Sequence, residues 1–289
     1  MTDTDPTSFT LPRIPPELQI HIIYQLRQDL ASLRFLSLVC NSLRLEAQRL
    51  LFQSVTVDHK NIDHDRLPKI REFIHHLCDS SASIPYYIHQ INLDITEVFH
   101  VRFPECNALL MQALCSMRNL RHLKIVAYRY NGRFSLAGLV QNAPFQLRSL
   151  NVDIPVEDGF ADFVRSQPSL ARIQWMSGDD IRPPHTTIFS AQDLTYLKML
   201  HVERDHLAKM FLPQCSISHL SIWSIDGIFE LGSLPLVRGL VIEDLIRFPH
   251  DLGKLADNVP NLEFLDVAFS KKVRLPNKRQ TIKLKLQIA

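Results

Sequence analysis

From residue 88 onward the chain repeats one short figure, apolar-x-x-apolar-x-apolar, and this repetition limits the fold more than any other feature of the sequence. It stands at Ile88-Ile91-Leu93, Leu120-Leu123-Ile125, Leu147-Leu150-Val152 and Leu170-Ile173-Trp175. It continues at Leu194-Leu197-Met199, Ile217-Leu220-Ile222, Val237-Leu240-Ile242 and Leu262-Leu265-Val267. Successive starts lie 32, 27, 23, 24, 23, 20 and 25 residues apart. Between the figures stand segments with helical character: ECNALLMQALCSM, SLAGLVQNA, GFADFVRSQ, DHLAKMFL and HDLGKLADNV. Pro144, Pro168, Pro213, Pro235 and Pro260 come shortly before the next figure. Proline there stops a helix and favours extended backbone in the residue before it. One strand with one helix cannot bury its apolar face alone, but stacked copies can. The expectation is an α/β array of parallel strands.

The flanks extend the pattern. Val55-Thr56-Val57 is a β-branched run that predicts a first strand. Residues 58–66 form a polar loop. LPKIREFIHHLCDS then reads as a helix, with Leu67, Ile70, Phe73 or Ile74, and Leu77 at helical spacing. At the other end Ile282, Leu284, Leu286 and Ile288 alternate with polar residues, which predicts a strand, paired with Val273 and Leu275. Either this strand caps the array or the natural sequence continues. Residues 271–285 hold seven lysines and arginines and no acid. Such residues guard an exposed edge strand; contact with nucleic acid or an acidic partner is the other reading.

Residues 55–289 resemble leucine-rich repeats, whose period is about 20–29 residues. The Asn or Cys of that family is absent three positions after each figure, so the convex turns are expected to be irregular. The resemblance implies a solenoid with parallel strands on its concave face. Residues between the inward apolar positions would line that face: Gln90, Asn92 and Asp94, then His122 and Lys124, then Ser149, Asn151 and Asp153. Arg172, Gln174 and Met176, Tyr196 and Lys198, His219, Ser221 and Trp223, Val241 and Glu243, and Phe264 and Asp266 follow. As binding residues we take His122, Lys124, Asn151, Asp153, Arg172, Gln174, Met176, Tyr196, Lys198, His219, Trp223 and Glu243. The middle of the face is rich in Arg, Tyr, Met and Trp, types enriched at binding hot spots.

Ahead of the array, Ile14 to Phe52 predicts three short helices. Pro15 and Pro16 suit a helix start, and Glu17 favours the positive end of the dipole. Leu18, Ile22 and Leu26 form one stripe. Asp29 is placed to cap a second helix that is apolar around most of its circumference through Leu30, Leu33, Phe35, Leu36, Leu38, Val39 and Cys40. A third helix runs to about Leu51. About forty residues cannot bury all of this within themselves, so the excess faces the rest of the chain or another protein.

This stretch resembles an F-box. Ile14-Pro15-Pro16-Glu17 matches the opening, Ile22 or Ile23 with Leu26 the first helix, Asp29-Leu30 and Leu36 with Leu38-Val39-Cys40 the second, and Arg44 the basic position. Two departures stand out. Leu43 replaces the usual Trp, and the interval from Asp29 to Val39 is longer than the common pattern by about one helical turn. The organisation expected is residues 1–10 as a disordered lead-in, 11–54 as the F-box and 55–289 as the repeat array. The resemblance implies a substrate-receptor subunit of an SCF-type cullin-RING ubiquitin ligase. Ile14, Pro15, Leu18, Ile22, Leu26, Leu36, Val39 and Leu43 would bind the small adaptor subunit, and the repeats would hold a target protein of unknown identity. The alternative is a leucine-rich-repeat scaffold or inhibitor outside any ligase, its helices only capping the array.

Little in the sequence suggests chemistry. G-x-S-x-G, H-E-x-x-H and the P-loop pattern are missing, and 8 glycines in 289 residues leave little material for phosphate-cradling loops. His75, His76 and Cys78 are not spaced to put three ligands on one helix face, and Asp179-Asp180 reads as a solvated turn. We therefore expect no catalysis, no cofactor and no metal. Five cysteines without a C-x-x-C pair fit a reducing compartment, hence the cytoplasm or nucleus. No apolar run has the length of a membrane span, the polar first ten residues do not resemble a signal peptide, and a net charge of +2 gives no overall case for nucleic acid.

Overall fold

The computed structural model describes residues 15–39, 41–57, 67–79, 83–94, 105–126, 136–139, 142–153, 158–176, 189–190, 192–203, 205–212, 215–224, 228–229, 231–244, 254–268 and 281–284. The chain divides into two compact units, Met1–Ser54 and Val55–Ala289. The expected lead-in, 1–10, lies outside the described residues.

The first unit holds three helices: α1 (Pro16–Gln25), α2 (Leu30–Val39) and α3 (Asn41–Leu51). Pro15 is the N-cap of α1, and its carbonyl accepts the N–H groups of Leu18 and Gln19, each at 3.0 Å. The Asp29 carboxylate caps α2: Oδ1 accepts from the N–H groups of Ala31 and Ser32 at 3.1 Å, and the Ser32 hydroxyl donates to Oδ2 at 2.6 Å. These bonds, that of the Ser32 hydroxyl foremost, hold the Asp29 carboxyl below its ordinary pKa. Arg44 on α3 donates from Nε to the Ser37 carbonyl of α2 at 3.2 Å, satisfying a carbonyl near that helix end. Ile23, Leu33, Ala47 and Leu50 form the core, with Leu26, Leu36, Leu43 and Leu51 against it.

The second unit is α/β. Its ten strands stand side by side in chain order: β1 (Ser54–Val57), β2 (Gln90–Asp94), β3 (His122–Val126), β4 (Ser149–Asp153), β5 (Arg172–Trp175), β6 (Met199–Val202), β7 (His219–Ser224), β8 (Gly239–Asp244), β9 (Phe264–Ala268) and β10 (Thr281–Leu284). The first nine form an open parallel sheet. Helices α4 (Leu67–Cys78), α5 (Ile84–Tyr87), α6 (Cys106–Ser116), α7 (Asp158–Arg165) and α8 (Asp205–Lys209) lie between them in sequence, as does a 3-10 turn at Ala137–Leu139. Parallel neighbours require such crossovers.

The register explains the repeat. Leu123 pairs with Leu150, Leu150 with Ile173, Ile173 with Leu200 and Leu200 with Leu220. The residues two further on, Ile125, Val152, Trp175, Val202 and Ile222, make the second buried row. Both rows join Leu110, Leu114, Phe160, Phe163, Val164 and Leu207 in one core. Phe160 tilts against Trp175 with centroids 4.1 Å apart, and Phe189 stacks on Phe211 at 4.7 Å. The buried Gln167 accepts the Leu147 N–H at 2.8 Å, so its carbonyl is not left unpaired.

One expectation is corrected. The fifth figure is not Leu194-Leu197-Met199: Met199 pairs with Arg172 and is exposed, and the buried set is Leu197, Leu200 and Val202. Leucines at 194, 197 and 200 let the figure fit twice. What decides between them is a turn: Ser190 N–H donates to Asp193 Oδ2 at 2.8 Å, and Asp193 N–H to Ser190 Oγ at 3.2 Å. That reciprocal pair starts a turn that runs to Tyr196 and delays the strand. The last strand, β10, pairs antiparallel with β9, Lys283 opposite Asp266 and Ile282 opposite Val267. The expected partners Val273 and Leu275 lie outside the described residues.

Candidate interaction surfaces

Two surfaces collect the residues singled out from sequence. The first belongs to the helical unit. A helix that packs through one stripe hides that stripe and leaves the rest to water; here much of the rest is apolar. Eight of the fourteen large apolar side chains exposed among the described residues lie on α1–α3: Leu18, Ile20, Ile22, Tyr24, Leu30, Phe35, Leu38 and Leu45. Phe35 and Leu38 are the most open, 66% and 78% exposed. Of the residues predicted to meet an adaptor, Pro15, Leu18 and Ile22 are exposed, whereas Leu26, Leu36 and Leu43 pack on the unit's own core. Val39 lies in the last turn of α2, and Ile14 is outside the described residues. The sequence pattern does not single out Phe35 and Leu38, the two most exposed of these side chains. Once Leu33 and Leu36 are seen against the core, helical geometry turns positions 35 and 38 away; a helix apolar all round does not announce that choice in its sequence.

The second surface is the sheet face opposite the core. Its order comes from a backbone device repeated at seven steps. Just before each strand, two successive N–H groups donate to one carbonyl of the neighbour. Arg121 and His122 donate to His89 O at 2.8 and 3.0 Å, and Arg148 and Ser149 to Arg121 O at 2.8 and 3.1 Å. Ala171 and Arg172 then donate to Arg148 O, and Lys198 and Met199 to Ala171 O. Ser218 and His219, Arg238 and Gly239, and Glu263 and Phe264 continue the series. The residues that begin each pair therefore align in one row.

Past that row the outward positions align strand by strand. His122, Ser149, Arg172, Met199, His219 and Gly239 form one line, and Lys124, Asn151, Gln174, His201, Ser221 and Val241 the next. Asn151 Nδ2 donates to Gln174 Oε1 at 2.9 Å. The Arg172 guanidinium donates to Met199 Sδ at 3.2 and 3.3 Å, and His201 Nε2 lies 3.0 Å from Met176 Sδ. Burial, then the charges of Arg148, Arg172 and Arg121, push the His122 pKa down. Asp153 ends β4, and Trp223, 38% exposed, lies near the end of β7 with Glu243 near the end of β8.

The β6 correction moves two predicted residues off the strand. Tyr196 stands in the preceding turn, 62% exposed, and Lys198 occupies the row just before β6. Their places on the strand face belong to Met199 and His201, with Glu203 just after the strand. The Ser190-x-x-Asp193 spacing was the sequence signal that would have found them.

Among the described residues no group of three or more His, Cys, Asp or Glu is placed to hold a metal ion. His75 and His76 are exposed, and the Cys78 thiol donates to the Leu109 carbonyl at 3.3 Å. Burial raises the thiol pKa of Cys78 and Cys115, and burial with the nearby Asp193 carboxylate pushes Cys215 up to about 11; nucleophilic cysteines need the reverse. Asp179-Asp180 lies outside the described residues. No described helix is long and apolar enough to cross a membrane. No protein-family model matches the chain, and no curated protein sequence matches it either.

Proposed function

We propose that this chain is a substrate receptor of an SCF-type cullin-RING ubiquitin ligase. In this reading the helical unit is an F-box that docks the small adaptor subunit. The sheet unit is an irregular leucine-rich-repeat solenoid that holds the protein to be ubiquitinated on its outward strand face. The chain does no covalent chemistry; it raises the effective concentration of its target beside the ligase. It works in the cytoplasm or nucleus, where that machinery resides.

The observation that carries the reading is the exposed apolar surface of α1–α3. Leu18, Ile22, Phe35 and Leu38 stand open on a unit whose own core consists of four buried side chains and four partly buried ones. Apolar surface so concentrated marks a binding site. The match of Pro15-Pro16-Glu17, the Asp29 cap and Arg44 to the F-box pattern says which partner. The sheet supports the second half: β3 to β7 present polar, cationic or large side chains outward at fixed register. Co-purification of the tagged chain from cells, with and without proteasome inhibition, tests both halves. The adaptor is expected in both samples, and target proteins should be enriched under inhibition. A chain that enriches partners but never the adaptor is instead a scaffold or inhibitor outside the ligase.

A further inference from the structure

Within the sheet face, we propose that the band at the amino ends of β3–β6 is the part that takes the partner, and that it takes an extended, acidic stretch of protein chain rich in aspartate and glutamate. This rests on the reading that the sheet face holds a partner protein, and it does not depend on what the helices bind.

Five permanent cations gather there. Arg121, Arg148 and Lys198 occupy the row just before β3, β4 and β6; Arg172 begins β5, and Lys124 stands two residues into β3. All five are exposed, none makes an ion pair among the described residues, and no Asp or Glu shares their rows on these four strands. Strand neighbours lie about 4.8 Å apart, so the band runs roughly 15 Å across the sheet. Like charges held so close repel one another, and an anionic ligand relieves that repulsion. Neutral hydrogen-bonding groups, Ser149 and the Asn151–Gln174 amide pair, lie between the cations.

The same map selects the ligand class. The cations are strung along a line instead of converging on one point, which suits single negative charges distributed along a peptide better than one dianionic phosphate. The band is also narrow: Asp153 and Glu203 stand at the carboxyl ends of β4 and β6. A wide polyanion such as nucleic acid would meet those carboxylates. The rows of β3–β6 also offer no Phe, Tyr or Trp on which bases stack.

The test uses the full chain and a fluorescent peptide of about ten residues, long enough extended to cross the band, in which Asp and Glu alternate with Ser and Gly. Controls are the same peptide with Asn and Gln, the peptide with one phosphoserine as its only charge, and a single-stranded oligonucleotide. The acidic peptide is expected to bind at least about tenfold more tightly than each control, and more weakly as ionic strength rises. Arg148→Glu with Arg172→Glu should abolish the preference while far-UV circular dichroism and Tm stay unchanged. Lys124→Glu should weaken it alone, which keeps the test open if the double variant does not fold. Equal binding of the amide peptide, tighter binding of the phosphopeptide or oligonucleotide, or binding indifferent to charge reversal overturns the proposal. No adaptor is present, so the result is separate from the ligase assignment.

Discussion

The His219 imidazole lies across Gly239 on the next strand: a Cβ on Gly239 would stand 2.5 Å from His219 Cδ2. The two residues are register partners on β7 and β8, and His219 Nδ1 is 3.0 Å from the Ser218 hydroxyl. Gly239 thus leaves room for a ring on the outward face. Gly239→Ala is expected to swing that ring aside at a cost of about 1 kcal/mol or less for the displaced rotamer. Reduced unfolded-state entropy offsets part of this cost. Urea denaturation should show a nearly unchanged midpoint, while the His219 imidazole resonances shift. Unfolding of the variant, or unmoved resonances, would show that the contact is not as described.

Trp175 has no solvent exposure and lies 4.1 Å, centroid to centroid, from Phe160. Trp175→Ala removes the largest side chain of the central core and leaves a cavity. The expected loss is about 3–5 kcal/mol, read as a lower urea midpoint with a preserved slope. A loss under about 1 kcal/mol would place Trp175 at a site that collapses freely or lies outside the core.

Cys215 gives a pH dependence. Burial foremost, then the Asp193 carboxylate, raises its pKa from 9.0 to about 11. The folded state therefore holds the thiol proton more tightly than the unfolded state does. The associated stability is present in full below the ordinary thiol value and is lost as pH climbs toward about 11. At pH 8 the native thiol should resist iodoacetamide and react once the chain is unfolded in urea. Labelling of Cys215 in the native chain at the unfolded rate would contradict the burial.

The strand plan was legible because burial on one face forces a period of two, so Leu123, Leu150, Ile173 and Leu220 declare their register without further help. The error at β6 has the same source: leucines spaced by three at 194, 197 and 200 satisfy the figure in two frames. The choice was made by a side-chain-to-backbone turn at Ser190 and Asp193, which an apolar pattern does not encode. The helical unit was legible in outline, including the Asp29 cap. Which of Leu36, Phe35 and Leu38 faces out was not, since a helix apolar all round has no stripe to read. The basic band was hidden for a third reason: Arg121, Arg148 and Lys198 are 27 and 50 residues apart in sequence, and only the backbone ladder sets them in one row.

The most direct test of the account is adaptor binding by a chain carrying Phe35→Asp and Leu38→Asp. Both side chains are exposed, so the substitutions leave the Ile23-Leu33-Ala47-Leu50 core intact, and the circular dichroism spectrum and Tm provide the control. Titration of purified adaptor into the wild-type chain is expected to give saturable binding. In the folded variant, affinity should fall at least about a hundredfold, because two apolar side chains that the proposed docking would bury become carboxylates. Undiminished adaptor binding by the folded variant, or no binding by the wild-type chain, would contradict the assignment of α1–α3 as the ligase-docking surface.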